Sequence, residues 1–293
     1  MHFLLFAVVC SVLVSVLLKL APRRDIDVFQ AITWNYAAAC VLSVALLNPA
    51  LSTLGAATTP WLALVGLAIA LPSIFLVLAR SVRVAGIVRT DVAQRLSLLL
   101  SLAAAFTVFG EDAGPWKLAG LGVGLLAMVG IVQRAHAPST VEPASTIGTQ
   151  TRAWPWLLGV WVGFALIDIL LKTIALSGTT SLTALTLCFA IAFGLLLCVQ
   201  LVRMWRGHRL HPRSMAAGLL LGVLNFGNIL FYVRAHQHLP HSPATVFATM
   251  NIGVVALGAL AGIALFGERT TRWTRVGLGL AVLAIALIAQ GSR

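Results

Sequence analysis

Two acid–base pairs stand out in a chain that carries very little charge. Asp91 and Arg95 are spaced i, i+4, and so are Asp168 and Lys172. In both pairs the acid comes first, so on a helix each pair can meet on one face. Gln94 sits beside the first pair. A second set is uncharged: Asn35 next to Tyr36, Asn225 and Asn228 three apart, and Asn251. A carboxamide both donates and accepts hydrogen bonds, so it can hold a polar solute without the cost of burying a charge. The acid–base pairs admit two readings. Each can neutralise itself inside a packed bundle, or Asp91 and Arg95 can engage charged groups of a substrate, with Asp168 as a candidate for proton or ion coupling. The amides can bridge helices or line a cavity. Lys172 falls near the end of an apolar run, where snorkelling to the interface is expected.

The elements that must position these residues follow from composition. Of 293 residues, 60% are apolar and 10% charged, whereas a soluble domain carries about a quarter charged. Water cannot be the main solvent of this chain, and the lipid bilayer is its first partner. The net charge of +12 is spread singly between apolar runs, with no Lys/Arg block longer than two. That pattern argues for membrane topology and against nucleic acid. Four cysteines lie inside apolar runs without CxxC spacing, so neither a disulfide framework nor a zinc site is expected. Residues 1–18 lack the basic start of a signal peptide, and a retained first helix is expected.

A hydrocarbon core about 30 Å thick requires roughly 20 apolar residues per helix. That ruler gives ten spans, near 2–20, 28–47, 60–79, 84–109, 115–133, 154–174, 181–202, 214–233, 242–266 and 272–290. The expected fold is therefore an all-α integral membrane protein. The two halves also match each other. Phe109-Gly110-Glu111 recurs as Phe266-Gly267-Glu268, and at the same offset Trp116 meets Trp273, Gly120 meets Gly277, Gly122 meets Gly279 and Gln94 meets Asn251. Leu17-Leu18-Lys19 matches Leu170-Leu171-Lys172. The expected organisation is a first five-helix repeat at 1–134, a linker at 135–152 and a second repeat at 153–293. Five is odd, so the second copy enters the membrane inverted.

Charge counting fits that topology. Loops after the odd-numbered spans hold Arg23, Arg24, Arg80, Arg83, Arg134, Arg152, Arg203, Arg206, Arg209, Arg213, Arg269, Arg272 and Arg275, against Lys117, Lys172, Arg234 and Arg293 on the other side. The positive-inside rule makes the Arg-rich side cytoplasmic and puts both termini outside.

The stretches FGEDAGPWKLAGLGVGLLAMVGI (109–131) and FGERTTRWTRVGLGLAVLAIALI (266–288) resemble the EamA-like family of the drug/metabolite transporter superfamily. So do DVAQRLSLLLSLAAAF (91–106) and MNIGVVALGALAGIALF (250–266). The resemblance implies a ten-helix inverted-repeat carrier with a central cavity that exports or imports small molecules, often amino acids, metabolites or toxic compounds. It also implies cytosolic termini, against the charge count, which is preferred here. The expected function is a secondary transporter that moves a small polar or amphipathic metabolite across the cell membrane, as a monomer or homodimer.

Glu111 and Glu268 are expected to cap the helix that follows each. Gly120 with Gly124, and Gly258 with Gly262, have the spacing that brings helices close. Pro72 is a candidate kink. His236, His238 and His241 lie after the eighth span, and His208 and His211 after the seventh, so they face opposite compartments and make no joint metal site. No hydrolase or nucleotide-binding motif is present, and no cofactor is expected. Two other functions fit the sequence less well: a lipid-acting intramembrane enzyme, with Asp91 near Ser97 or Ser101 but no His partner, and a non-transporting scaffold or receptor subunit.

Overall fold

In a computed structural model, residues 2–20, 26–50, 59–85, 87–112, 114–132, 147–177, 180–266 and 272–291 are described. Among them the chain forms ten α-helices and no strand: α1 (His2–Leu20), α2 (Val28–Leu47), α3 (Trp61–Ala85), α4 (Ile87–Thr107), α5 (Pro115–Val132), α6 (Ile147–Leu176), α7 (Thr180–Trp205), α8 (Pro212–His238), α9 (Pro243–Phe266) and α10 (Arg272–Gly291). Helices satisfy every internal backbone group, which hydrocarbon demands. Among the described residues six segments are long and apolar enough to cross a membrane: Val28–Leu47, Trp61–Ala85, Ala153–Leu176, Ser181–Trp205, Pro212–His238 and Pro243–Ala264. Shorter apolar stretches occupy α1, α4, α5 and α10. Large apolar side chains such as Leu62, Val282 and Trp273 stand exposed, as a lipid-facing surface requires. Several apolar helices of spanning length fit a multi-pass membrane protein.

Helix starts carry their chemical signals. α5, α8 and α9 open on Pro115, Pro212 and Pro243, where the missing N–H of proline costs nothing. Asp27 caps α2 by accepting from the Gln30 amide at 3.2 Å, and Asn48 ends that helix in the left-handed region at φ 43°. Several helices overrun the apolar ruler. Arg80 and Arg83, read as loop residues, lie on the last turns of α3, and His236 and His238 on the last turn of α8. α6 begins at Ile147, so 147–152 of the expected linker is helical. Residues 133–146 and Glu268 lie outside the described residues.

The chain divides into two compact units, residues 1–76 with 169–238 and residues 77–168 with 239–293. Each takes helices from both halves of the sequence. In the first unit α8 packs on α1 and α2, and α2 also packs on α7. The α2–α8 seam is very close, because Gly218 and Gly222 of α8 lie against the carbonyl oxygens of Ala31 and Asn35. Ser214, which accepts from the Asp27 amide at 3.0 Å, continues the stripe one turn earlier. In the second unit α10, α5 and α9 pack on one another and α4 packs on α9. Gly120 lies against Ile288 and Ala284, and Gly124 against Ile252. A Cβ added at Gly258 would meet no atom of the described residues within 4 Å, unlike one at Gly120 or Gly124.

Candidate substrate site

The first unit holds four of the nine candidate residues. Asn35 and Tyr36 on α2 are fully buried, Asn225 on α8 is 6% exposed, and Asn228 is half-buried. Several of their polar atoms are buried without a hydrogen-bond partner among the described residues: both amide atoms of Asn35, the Tyr36 hydroxyl, Nδ2 of Asn225 and Oδ1 of Asn228. Buried polar groups are normally paired, and leaving one unmade costs about 1–3 kcal/mol. Five such atoms lie on four residues of two adjoining helices. The surroundings are aromatic. The Tyr36 ring lies 6.5 Å from Phe75 and 6.4 Å from Phe189, and Phe189 lies 6.2 Å from Phe226. Trp34, which the sequence reading passed over, adds an unpartnered indole N–H on the same helix. Its signal was the run Trp34-Asn35-Tyr36, three polar-capable side chains in succession inside an apolar span.

The other five candidates belong to the second unit. Asp168 accepts a hydrogen bond from the Ser101 hydroxyl at 2.8 Å, so α4 and the first part of α6 are joined there by a carboxylate. Trp161 of α6 donates to the Leu96 carbonyl of α4 at 3.0 Å. Gln94 and Arg95 are half-buried on α4; the side chain of Asp91 lies outside the described residues. Asn251 on α9 donates to the Phe247 carbonyl one turn back at 3.0 Å, which commits one of its amide protons to its own helix. Thr249, two residues earlier, has a buried hydroxyl without a partner. Thr245 and Thr249, one turn apart on α9, are weakly polar and common in apolar spans, which gave no reason to single out either.

Two buried bases change the first reading. Lys172 is fully buried in the first unit, so it does not snorkel, and His236 is equally buried with its ring edge-on to Tyr232 at 4.8 Å. His238 packs instead against Phe3, 4.8 Å between rings.

At the Arg-rich end of the first unit a polar latch ties α2 to α7 and α8. Arg203 donates to both oxygens of Asp27, at 2.7 and 3.4 Å, and stacks over Phe29 at 4.8 Å. The Gln30 side chain exchanges two hydrogen bonds with the backbone of His211, each 3.1 Å. Burial by itself would raise the Asp27 carboxyl, but the Arg203 hydrogen bond, the Gln30 amide and the Arg203 charge outweigh it and hold it below its ordinary value of 3.8. A depressed carboxyl adds stability at pH values above 3.8 that drains away as acid protonates it in the fold. Acid titration is therefore expected to loosen this latch below about pH 4, while Asp27→Asn removes the effect and costs about 1 kcal/mol at neutral pH, since both partners are partly solvated. Melting curves of both proteins across pH 3–7 check this; parallel curves would exclude the latch.

No protein-family model matches this chain. A crystal structure superposes with a TM-score of 0.72 at 13% identity, covering 100% of this chain and 97% of the other, a likeness of fold alone. An uncharacterized protein of Haemophilus influenzae is 39% identical over 293 residues, spanning 97% of this chain and 96% of its own. At that identity over nearly the whole of both, the chain belongs to the same family as the Haemophilus influenzae protein.

Proposed function

We propose that the protein is a secondary transporter of the EamA-like branch of the drug/metabolite superfamily. It crosses the cell membrane ten times as two inverted five-helix repeats and moves a small polar or amphipathic metabolite by alternating access. The Arg-rich loops face the cytoplasm, and Asp168 serves proton or ion coupling. It has no enzymatic activity of its own. The observation that carries this reading is the set of unpartnered, uncharged polar groups on α2 and α8. A protein built only for packing has no use for them, whereas a solute that visits and leaves can pair with them in turn. Repetition of the Phe-Gly-Glu and Trp-Gly pattern supports the inverted architecture.

The test separates function from folding. Asn35→Leu and Asn225→Leu keep the approximate volume and remove groups that have no partner, so the melting temperature is expected to hold or rise. Transport in proteoliposomes, for a solute first found by thermal-shift screening of amino acids, sugars, nucleosides and quaternary amines, is expected to fall roughly tenfold per substitution, the loss of about one hydrogen bond at the solute. Unchanged transport in both variants would reject the site.

A further inference from the structure

The turn joining α7 to α8 reads Arg203-Met204-Trp205-Arg206-Gly207-His208-Arg209-Leu210-His211-Pro212-Arg213: four arginines and two histidines in eleven residues, with no acid. Its two ends are fixed. Arg203 is held by Asp27 and Phe29, and the backbone of His211 by Gln30. Between them Gly207 takes φ +91°, a conformation that favours glycine, and its N–H donates to the Met204 carbonyl while that of His208 donates to the Arg203 carbonyl. The loop is thus shaped in advance. It presents Arg206, Arg209, Arg213 and His208 to the exterior, and none of these four has an acidic partner among the described residues.

Apolar groups stand beside these charges. Trp205 is 95% exposed, and Met204 and Leu210 are exposed as well. The segments on either side, Ser181–Trp205 and Pro212–His238, are both apolar enough to cross a bilayer, so the loop emerges where hydrocarbon meets water. A soluble anion or a nucleic acid would match the guanidiniums and leave the indole and leucine in water. The headgroup layer accepts both: phosphate for the arginines, the acyl boundary for Trp205 and Leu210. We propose that this loop is a binding site for an anionic phospholipid, its phosphodiester held by Arg206, Arg209 and Arg213 and its upper acyl chain covered by Trp205 and Leu210. Guanidinium geometry suits phosphate oxygens in pairs. The site does not depend on what the protein transports.

The experiment uses the full chain purified in neutral detergent and titrated with short-chain phosphatidylglycerol, phosphatidylcholine of the same chain length, or inorganic phosphate. Melting temperature and retained lipid adducts in native mass spectrometry are the readouts. Phosphatidylglycerol is expected to stabilise and stay bound, and the other two are not. R206Q/R209Q/R213Q is expected to weaken phosphatidylglycerol binding about a hundredfold, at roughly fivefold per cation near the surface, and raised salt is expected to weaken it in the wild type. R206K/R209K/R213K keeps the charge but loses the paired donors, and is expected to bind more weakly than the wild type and more tightly than the glutamine variant. If the glutamine variant does not fold, W205A/L210A with the arginines intact supplies the test, and its preference for the lipid over inorganic phosphate is expected to vanish. Equal binding of phosphatidylglycerol by wild type and the glutamine variant, an unaltered preference in W205A/L210A, or equal stabilisation by inorganic phosphate would each overturn the proposal.

Discussion

Valine at Gly218 or Gly222 is expected to leave little folded protein. A Cβ at Gly218 would lie 2.4 Å from the Ala31 carbonyl oxygen and 2.8 Å from Trp34 Cβ, and one at Gly222 would lie 2.4 Å from the Asn35 oxygen and 2.6 Å from Ala38 Cβ. The obstructing atoms are mostly backbone, which cannot rotate aside as a side chain can. Overpacking ordinarily costs about 1–3 kcal/mol, and with no flexible neighbour each substitution is expected at the upper end, with the pair together exceeding the margin of a typical fold. The same seam sets the spacing of Asn35 and Asn225, so even a surviving variant should lose transport. Gly122→Ala and Gly279→Ala are the controls. Neither position has an atom of the described residues within 4 Å of the new Cβ, and alanine is the better helix former by about 1 kcal/mol. Stability in graded denaturing detergent, with yield of monodisperse protein, reads all four. Wild-type stability in Gly222→Val would mean that α2 and α8 are not in this contact.

That seam also shows what hydropathy can and cannot read. Lipid sets a length and an apolar threshold, so 28–47 and 272–290 were legible as helices to within a residue of the observed Val28–Leu47 and Arg272–Gly291. Where a helix continues past the hydrocarbon on arginine or histidine, both compatible with helix, the ruler stops early: Arg80, Arg83 and His236 were placed in loops for that reason. The stripe Ser214, Gly218, Gly222 has the same four-residue spacing as Gly120 and Gly124, and could have been read from it. Which of two such spacings is used depends on the opposite helix, and Gly258, where an added Cβ would meet no atom of the described residues within 4 Å, shows that spacing alone does not decide. Partners distant in sequence were beyond reach. Ser101 with Asp168 and Arg203 with Asp27 join residues 67 and 176 positions apart, and no local pattern foretells such pairs. The burial of Lys172 is the same case, since its place on α6 suggests an interface until its neighbours are known. Asn35, Tyr36, Asn225 and Asn228 were singled out because polarity inside an apolar span is rare, and that criterion works without a partner.

Glu111→Ala is expected to destabilise the protein by about 3–5 kcal/mol, because it strands a charge and uncaps a helix at once. The sequence suggested that Glu111 caps α5, directly after it. Instead the chain turns at Gly110, φ +62°, and the fully buried carboxylate reaches α9: Oε1 accepts from Lys117 Nζ at 2.9 Å and Oε2 from the Ala244 amide. The choice of helix has a local reason. Pro243 opens α9 without an N–H, so Ala244 offers its first unpaired donor, at the positive end of the helix dipole. Lys117 is pinned in turn, since α10 closes over it with Gly291 against its backbone. Removing the acid alone leaves a mostly buried ammonium without its counter-charge and an amide without its acceptor. Removing both charges in Glu111→Leu/Lys117→Met strands no charge and leaves the Ala244 amide and the part-buried Ser242 hydroxyl, to which Lys117 donates at 3.5 Å, without those partners, so the double variant is expected to be more stable than Glu111→Ala, although it carries one change more. Unfolding in graded denaturant for the single and double variants completes the cycle. A double variant less stable than Glu111→Ala would mean that Lys117 holds α5 to α10 by its own contacts and that Glu111 serves only the cap. The sign of that difference separates an ion pair that fixes three helix ends from a helix cap with a lysine nearby.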